Sequence, residues 1–86
     1  MIGYVHWGWL EIDIVWVDEF YRGKGIGKHL VDYAEHKALN TGAKRAKLNT
    51  FDFQAKEFYE KLGYVLYGRL EDYPEGHTLY YLRKDL

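Results

Sequence analysis

The chain has 86 residues, a formal charge of −1 and no cysteine. That length holds one small domain burying only ~60–65% of its unfolded surface; three Trp, nine Tyr and four Phe supply large side chains to fill its core. The charge argues against a general nucleic-acid binder, and the lack of cysteine excludes a disulfide framework and a thiolate nucleophile or metal ligand. No apolar run approaches the ~20 residues of a membrane span, and the N-terminus lacks a basic-then-apolar signal pattern. The default expectation is a soluble cytoplasmic protein.

Met1 to Trp9 reads as a first strand, with Ile2, Tyr4, His6 and Gly8 on one face and Val5, Trp7 and Trp9 on the other. Leu10 to Val17 reads as a second, in which Leu10, Ile12, Ile14 and Trp16 alternate with Glu11, Asp13, Val15 and Val17. Gly8 suits a tight turn or bulge between them. A first strand that starts at residue 1 has nothing before it to cover its edge.

Tyr21-Arg22-Gly23-Lys24-Gly25-Ile26-Gly27-Lys28 follows, and it opens an amphipathic helix running from Gly25 or Ile26 to about Leu39. Its glycines allow close approach of a ligand to the backbone, and the helix start presents unpaired N–H groups. Arg22, Lys24 and Lys28 add positive charge, so the turn is suited to a pyrophosphate. Neither nucleotide pattern fits. The mononucleotide loop would need glycine at Lys28, and the dinucleotide pattern would need it at Lys28 or Leu30.

On the helix, Ile26, Leu30, Val31, Ala34 and Ala38 form the inward stripe, and Lys28, Asp32, Glu35 and Lys37 decorate the rest. Asn40-Thr41-Gly42 is the stop. Arg45 to Thr50 is a third strand with Ala46 and Leu48 on one face, implying a parallel pair across a right-handed crossover. Lys56 to Leu62 is a short helix turning Phe58, Tyr59 and Leu62 inward, ended by Gly63. Tyr64 to Leu70 and Thr78 to Leu82 are the last strands, joined by an acidic loop carrying Glu71, Asp72 and Glu75. The histidines His6, His29, His36 and His77 show no ligand spacing, so no metal is expected.

Arg22-x-x-Gly25-x-Gly27 resembles the acetyl-CoA signature of the GNAT N-acetyltransferase superfamily, and Phe58-Tyr59-Glu60-Lys61-Leu62-Gly63-Tyr64 resembles its second signature block. The order β-β-α-β-α-β-β is similar to the C-terminal two-thirds of the acyl-CoA N-acyltransferase fold, an α/β (α+β) mixed sheet. The resemblance implies a single domain over residues 1–86, short of the family's usual N-terminal strand and helix pair. Asp52 departs from the family, many members of which carry Asn at that position.

What the resemblance implies for function is direct transfer of an acetyl group from acetyl-CoA to a primary amine of a small molecule or peptide. The alternative is a CoA-binding half-domain without activity, completed by a partner chain. By the same resemblance Val15, Trp16 and Val17 would line the pantetheine arm, though both valines also suit core packing. Arg22, Gly23, Lys24, Gly25, Ile26 and Gly27 would take the pyrophosphate, and Asn49 would touch the pantetheine. Tyr59 would be the acid that protonates the departing thiolate. Glu11 would be the base, directly or through water, with Asp13 as its substitute. The acidic loop suggests a cationic acceptor. The uncovered first strand suggests a homodimer in which a second chain covers Met1 to Trp9.

Overall fold

A computed structural model describes residues 3–14 and 27–86. Among these residues seven elements follow one another: β1 (Gly3–His6), β2 (Trp9–Ile12), α1 (Gly27–Asn40), β3 (Arg45–Phe51), α2 (Lys56–Lys61), β4 (Val65–Glu71) and β5 (Thr78–Asp85). The strands form one mixed sheet in the order β1-β2-β3-β5-β4. Among the described strands only β2 and β3 run parallel, across the α1 crossover expected from the sequence. The architecture is therefore the mixed α+β sheet anticipated above.

The first two strands are shorter than their alternation suggests. Trp7 and Gly8 both take positive φ, 51° and 78°, and make a two-residue hairpin turn whose twist matches that of the flanking strands. Trp9 therefore opens β2, paired with His6, and lies on the Tyr4 and His6 face rather than opposite it. At its other end β2 stops at Ile12, well short of Val17. Leu10, Ile12 and Ile14 remain buried, so the alternation reported the core face correctly even where pairing ceased.

Both helices end in the same way, and for the same reason. Gly42, at φ 97°, lets the Ala43 N–H donate to Ala38 O and its own N–H to Leu39 O. Gly63, at φ 100°, lets the Tyr64 N–H donate to Tyr59 O and its own N–H to Glu60 O. These 6→1 and 5→2 bonds satisfy carbonyls a helix end otherwise leaves open, and each brings the residue after glycine back onto the helix. Ala43 thus packs near Ala38, and Tyr64 returns to Tyr59.

The core lies between these helices and one face of the sheet. Leu10, Ile12, Ala46, Leu48 and Leu82 from the strands meet Val31, Ala34 and Ala38 from α1, with Tyr59 and Tyr64 closing one side. One expectation for α1 is corrected. Glu35 does not sit on the solvent side; it is 7% exposed. Its carboxylate accepts from Tyr64 Oη at 2.7 Å and from Lys84 Nζ at 2.9 Å, partners that offset the cost of burying the charge.

Candidate functional site

The parallel pairing of β2 with β3 covers Trp9↔Arg45, Leu10↔Ala46 and Glu11↔Lys47. Strand β3 continues to Phe51, while β2 leaves the ladder, so the sheet opens past the Glu11–Lys47 pair. A cleft of about 380 Å³ lies there, lined by Tyr4, Glu11, Asp13, Asn49, Phe51 and Gln54 among others. Tyr4, Glu11 and Asn49 share the sheet face turned away from α1 and α2, because their strand neighbours Leu10, Ile12, Leu48 and Thr50 point into the core.

Glu11 is held from two sides. Tyr4 Oη donates to Glu11 Oε2, and Lys47 Nζ lies 3.2 Å from Glu11 Oε1. The Tyr4 hydrogen bond is the main force holding its carboxyl below the usual range; burial opposes this and Lys47 reinforces it. The same bond raises the Tyr4 phenol, since its proton is shared with an anion. Glu11 therefore enters the cleft as an ionised carboxylate. That state favours holding a cation or a water over binding a proton itself.

Tyr59 occupies the other face. It is 1% exposed and stands edge-on to Phe58 and Tyr64, at centroid distances of 5.0 and 6.1 Å. Glu11 and Tyr59 thus lie on opposite sides of the sheet. A substrate that reaches both must do so through the opening between β2 and β3. Asn49 joins Glu11 in the cleft, as does Asp13.

The two sequence motifs meet at one point: the Gly27 Cα lies against Phe58, whose ring would be 3.4 Å from a Cβ placed there. The remaining expected cofactor residues, Val15, Trp16, Val17, Arg22, Gly23, Lys24, Gly25 and Ile26, lie outside the described residues. Asp52, the departure from the family pattern, is engaged with the end of the acidic loop. Its Oδ1 lies 3.0 Å from His77 Nδ1, and its Oδ2 accepts the Thr78 N–H at 3.0 Å.

Two groups were not singled out by sequence. Tyr4 and Lys47 hold Glu11, but the register that puts Lys47 opposite Glu11 exists only once β2 and β3 pair. Tyr64 and Lys84 reach Glu35 across 29 and 49 residues of chain, beyond any local pattern.

The model of the acetyltransferase (GNAT) family matches residues 1–64. Blasticidin-S acetyltransferase of Streptomyces morookaense is 41% identical over 87 aligned positions, covering 100% of this chain and 64% of that protein. The acetyltransferase Atu2258 of Agrobacterium fabrum is 31% identical, covering 98% and 61%. An acetyltransferase crystal structure from Bacillus cereus superposes with a TM-score of 0.86 at 42% identity, covering 98% of this chain and 60% of that one. A Bacillus anthracis protein solved with acetyl coenzyme A shares the fold, with a TM-score of 0.73 at 23% identity over 100% of this chain and 57% of its own. The chain spans a little under two thirds of the length of these relatives. Its two motifs, its element order and these matches agree: the chain belongs to the GNAT acetyltransferase family.

Proposed function

We propose that the chain transfers an acetyl group from acetyl-CoA to a primary amine, by direct attack within a ternary complex. The observation that carries this reading is the parting of β2 and β3 beyond the Glu11–Lys47 pair, with an anionic, half-exposed Glu11 at its mouth. A strand that continues without its neighbour leaves backbone donors and acceptors along one edge, the partner an extended amide-bearing pantetheine arm requires. Val15, Trp16, Val17 and Asn49 would hold that arm, and the backbone from Arg22 to Gly27 would hold the pyrophosphate. No cysteine is present for a covalent acetyl-enzyme, which favours direct attack.

A lysine-like amine at pH 7 must lose a proton before attack, at a cost of roughly 4–5 kcal/mol. Glu11 is the carboxylate toward which that proton leaves. Because Tyr4 and Lys47 stabilise its anion, the proton passes through water to solvent and Glu11 orients the ammonium and the water. Tyr59 returns a proton to the CoA thiolate. Between an unperturbed phenol and an unperturbed thiol such a transfer is uphill by roughly 2 kcal/mol, and desolvation of the thiolate favours it.

The test has two parts. Acetyl-CoA should raise the melting temperature where ATP and NAD do not. Amines should then release free CoA, and Tyr59→Phe should lower that release by at least about tenfold. Failure of acetyl-CoA to shift melting would overturn the reading.

A second reading is favoured by the placement of Glu11 and Tyr59 on opposite sides of the sheet. In it the chain binds CoA but is completed by a partner, and acetyl-CoA would shift melting without any amine-dependent release. A homodimer, in which a second copy covers the β1 edge, is part of our proposal. A monomeric mass in light scattering at micromolar concentration would count against it.

A further inference from the structure

The sheet face turned away from α1 and α2 carries a second groove beside the Glu11 cleft. Its volume is about 360 Å³, and His6, Trp7, Trp9, Lys47, Tyr67 and Arg83 line it. Lys47 belongs to its wall and pairs with Glu11, so the two grooves adjoin at that ion pair. Their chemistry differs. The first presents the carboxylates of Glu11 and Asp13 with amide side chains, and the second presents aromatic faces and cations.

The cations are arranged over the rings. The Arg83 guanidinium lies 5.0 Å from the Trp9 ring centroid and that of Arg45 lies 5.8 Å from it. Trp7 is 92% exposed and stacks on His6 at 5.0 Å. A solvent-facing indole of that size is a large apolar area left in water, beside planar groups able to sandwich another planar group.

Charge balance gives the sign of the occupant. Arg45 and Arg83 share the single carboxylate of Asp85, at 3.2 and 3.5 Å, while Lys47 uses Glu11. Of the residues that line the groove itself, Lys47 and Arg83 are cations and none is a carboxylate, so the described lining is positive. Trp9 and Glu11 are two residues apart on one face of β2, a separation of about 7 Å along the strand.

We propose that this second groove is the specificity half of the acceptor site, holding a planar group with one negative charge about 7 Å from the amine to be acetylated. The acceptor would then be an amphoteric amine: its cation at Glu11, its flat anionic part over Trp9 and against Arg83. This deepens the acetyltransferase reading and rests on it for the identity of the amine end. The groove itself can be tested without turnover.

Two amines separate the arms of the proposal. 4-(Aminomethyl)benzoate carries a ring and a carboxylate; benzylamine has the same ring and amine without the carboxylate. Titrated without acetyl-CoA, 4-(aminomethyl)benzoate should quench tryptophan fluorescence with a Kd at least about tenfold below that of benzylamine. Trp9→Phe should remove most of the quench. Arg83→Gln should abolish the preference, and Arg83→Lys should restore only part of it, since lysine keeps the charge but loses the plane. Circular dichroism of each variant shows whether it is folded. Equal binding of the two amines, or binding of neither, would overturn the proposal. Selective quenching without CoA release on adding acetyl-CoA would leave the groove standing and count against the acetyltransferase reading instead.

Discussion

Tyr64 Oη donates to the buried carboxylate of Glu35 at 2.7 Å, joining the turn after α2 to the middle of α1. The contact does more than satisfy a polar pair. Tyr64 is the residue that the Gly63 turn folds back onto Tyr59, through its own N–H to Tyr59 O at 3.1 Å. Glu35, with Lys84 at 2.9 Å on its other oxygen, therefore fixes α2 against α1 and β5. Removing the Tyr64 hydroxyl leaves a buried carboxylate short of one donor. Tyr64→Phe should cost about 1.5–3 kcal/mol of stability, read from the urea midpoint at neutral pH. Glu35→Gln keeps an acceptor for Tyr64 but loses the charge that Lys84 compensates, and should cost less.

The same phenol predicts an alkaline limit. Burial first, and then the hydrogen bond to Glu35, push the Tyr64 pKa far above its ordinary 10.0. Above that value the unfolded chain releases a proton that the folded chain keeps. The folded state then binds more protons, and stability must fall as pH rises. Comparing denaturant midpoints at about pH 9 and about pH 11 should show this decline, and Tyr64→Phe should make it shallower. An equally steep decline in the variant would assign it to other groups.

Gly63→Ala tests the turn itself. Its φ of 100° is strained for any residue with a Cβ, and that Cβ would meet Lys84 Cε at 3.4 Å. The substitution should cost about 1–2 kcal/mol from the backbone. It should also disturb the lysine arm that reaches Glu35. A thermal melt matching the parent would show that the turn accommodates alanine.

These cases also indicate what sequence could and could not supply. The element order, the two helix stops at Gly42 and Gly63, and the inward set Val31, Ala34, Ala38, Ala46 and Leu48 follow from local patterns, because each depends on neighbours within a turn or two. The turn at Gly8 is legible, but the strand boundary is not: Trp7 is a bulky side chain at a positive φ that composition would give to glycine or asparagine, so β2 opens at Trp9 rather than Leu10. The burial of Glu35 and the holding of Glu11 depend on partners brought by β5, β3 and β1. The early end of β2 had no signal at all: Asp13 and Ile14 continue the alternation after the pairing has stopped.

The acidic loop offers a test of long-range attraction. Glu71 and Glu75 are exposed at its surface, with Glu71 already 3.3 Å from Arg69. Asp72 has a structural duty, since its Oδ1 accepts the Gly76 N–H at 3.3 Å. Reversing Glu71 and Glu75 while sparing Asp72 should lower kcat/KM for a cationic amine a few-fold at low ionic strength. Salt should shrink the difference, because a Debye length of about 10 Å at 0.1 M screens exposed charges. An effect independent of salt would point to direct contact or misfolding instead.

Tyr4→Phe gives the sharpest test of how Glu11 is used. The Tyr4 hydroxyl is the largest influence holding the Glu11 carboxyl below its ordinary 4.5. A group lowered in this way stabilises the fold above about pH 4.5, and that contribution is lost as pH falls through the lowered value. Without the hydroxyl, Glu11 should gain its proton at higher pH. The fall in stability as pH drops below about 4.5 should then be shallower in Tyr4→Phe, and in Glu11→Gln this part of the acid sensitivity should vanish. If Glu11 also orients the amine as an anion, the acid limb of kcat/KM should move up in pH in Tyr4→Phe, with the limb set by the amine itself unmoved. A shift in unfolding without a shift in the rate profile would make Glu11 a structural carboxylate, held by Tyr4 and Lys47 for the sake of the sheet.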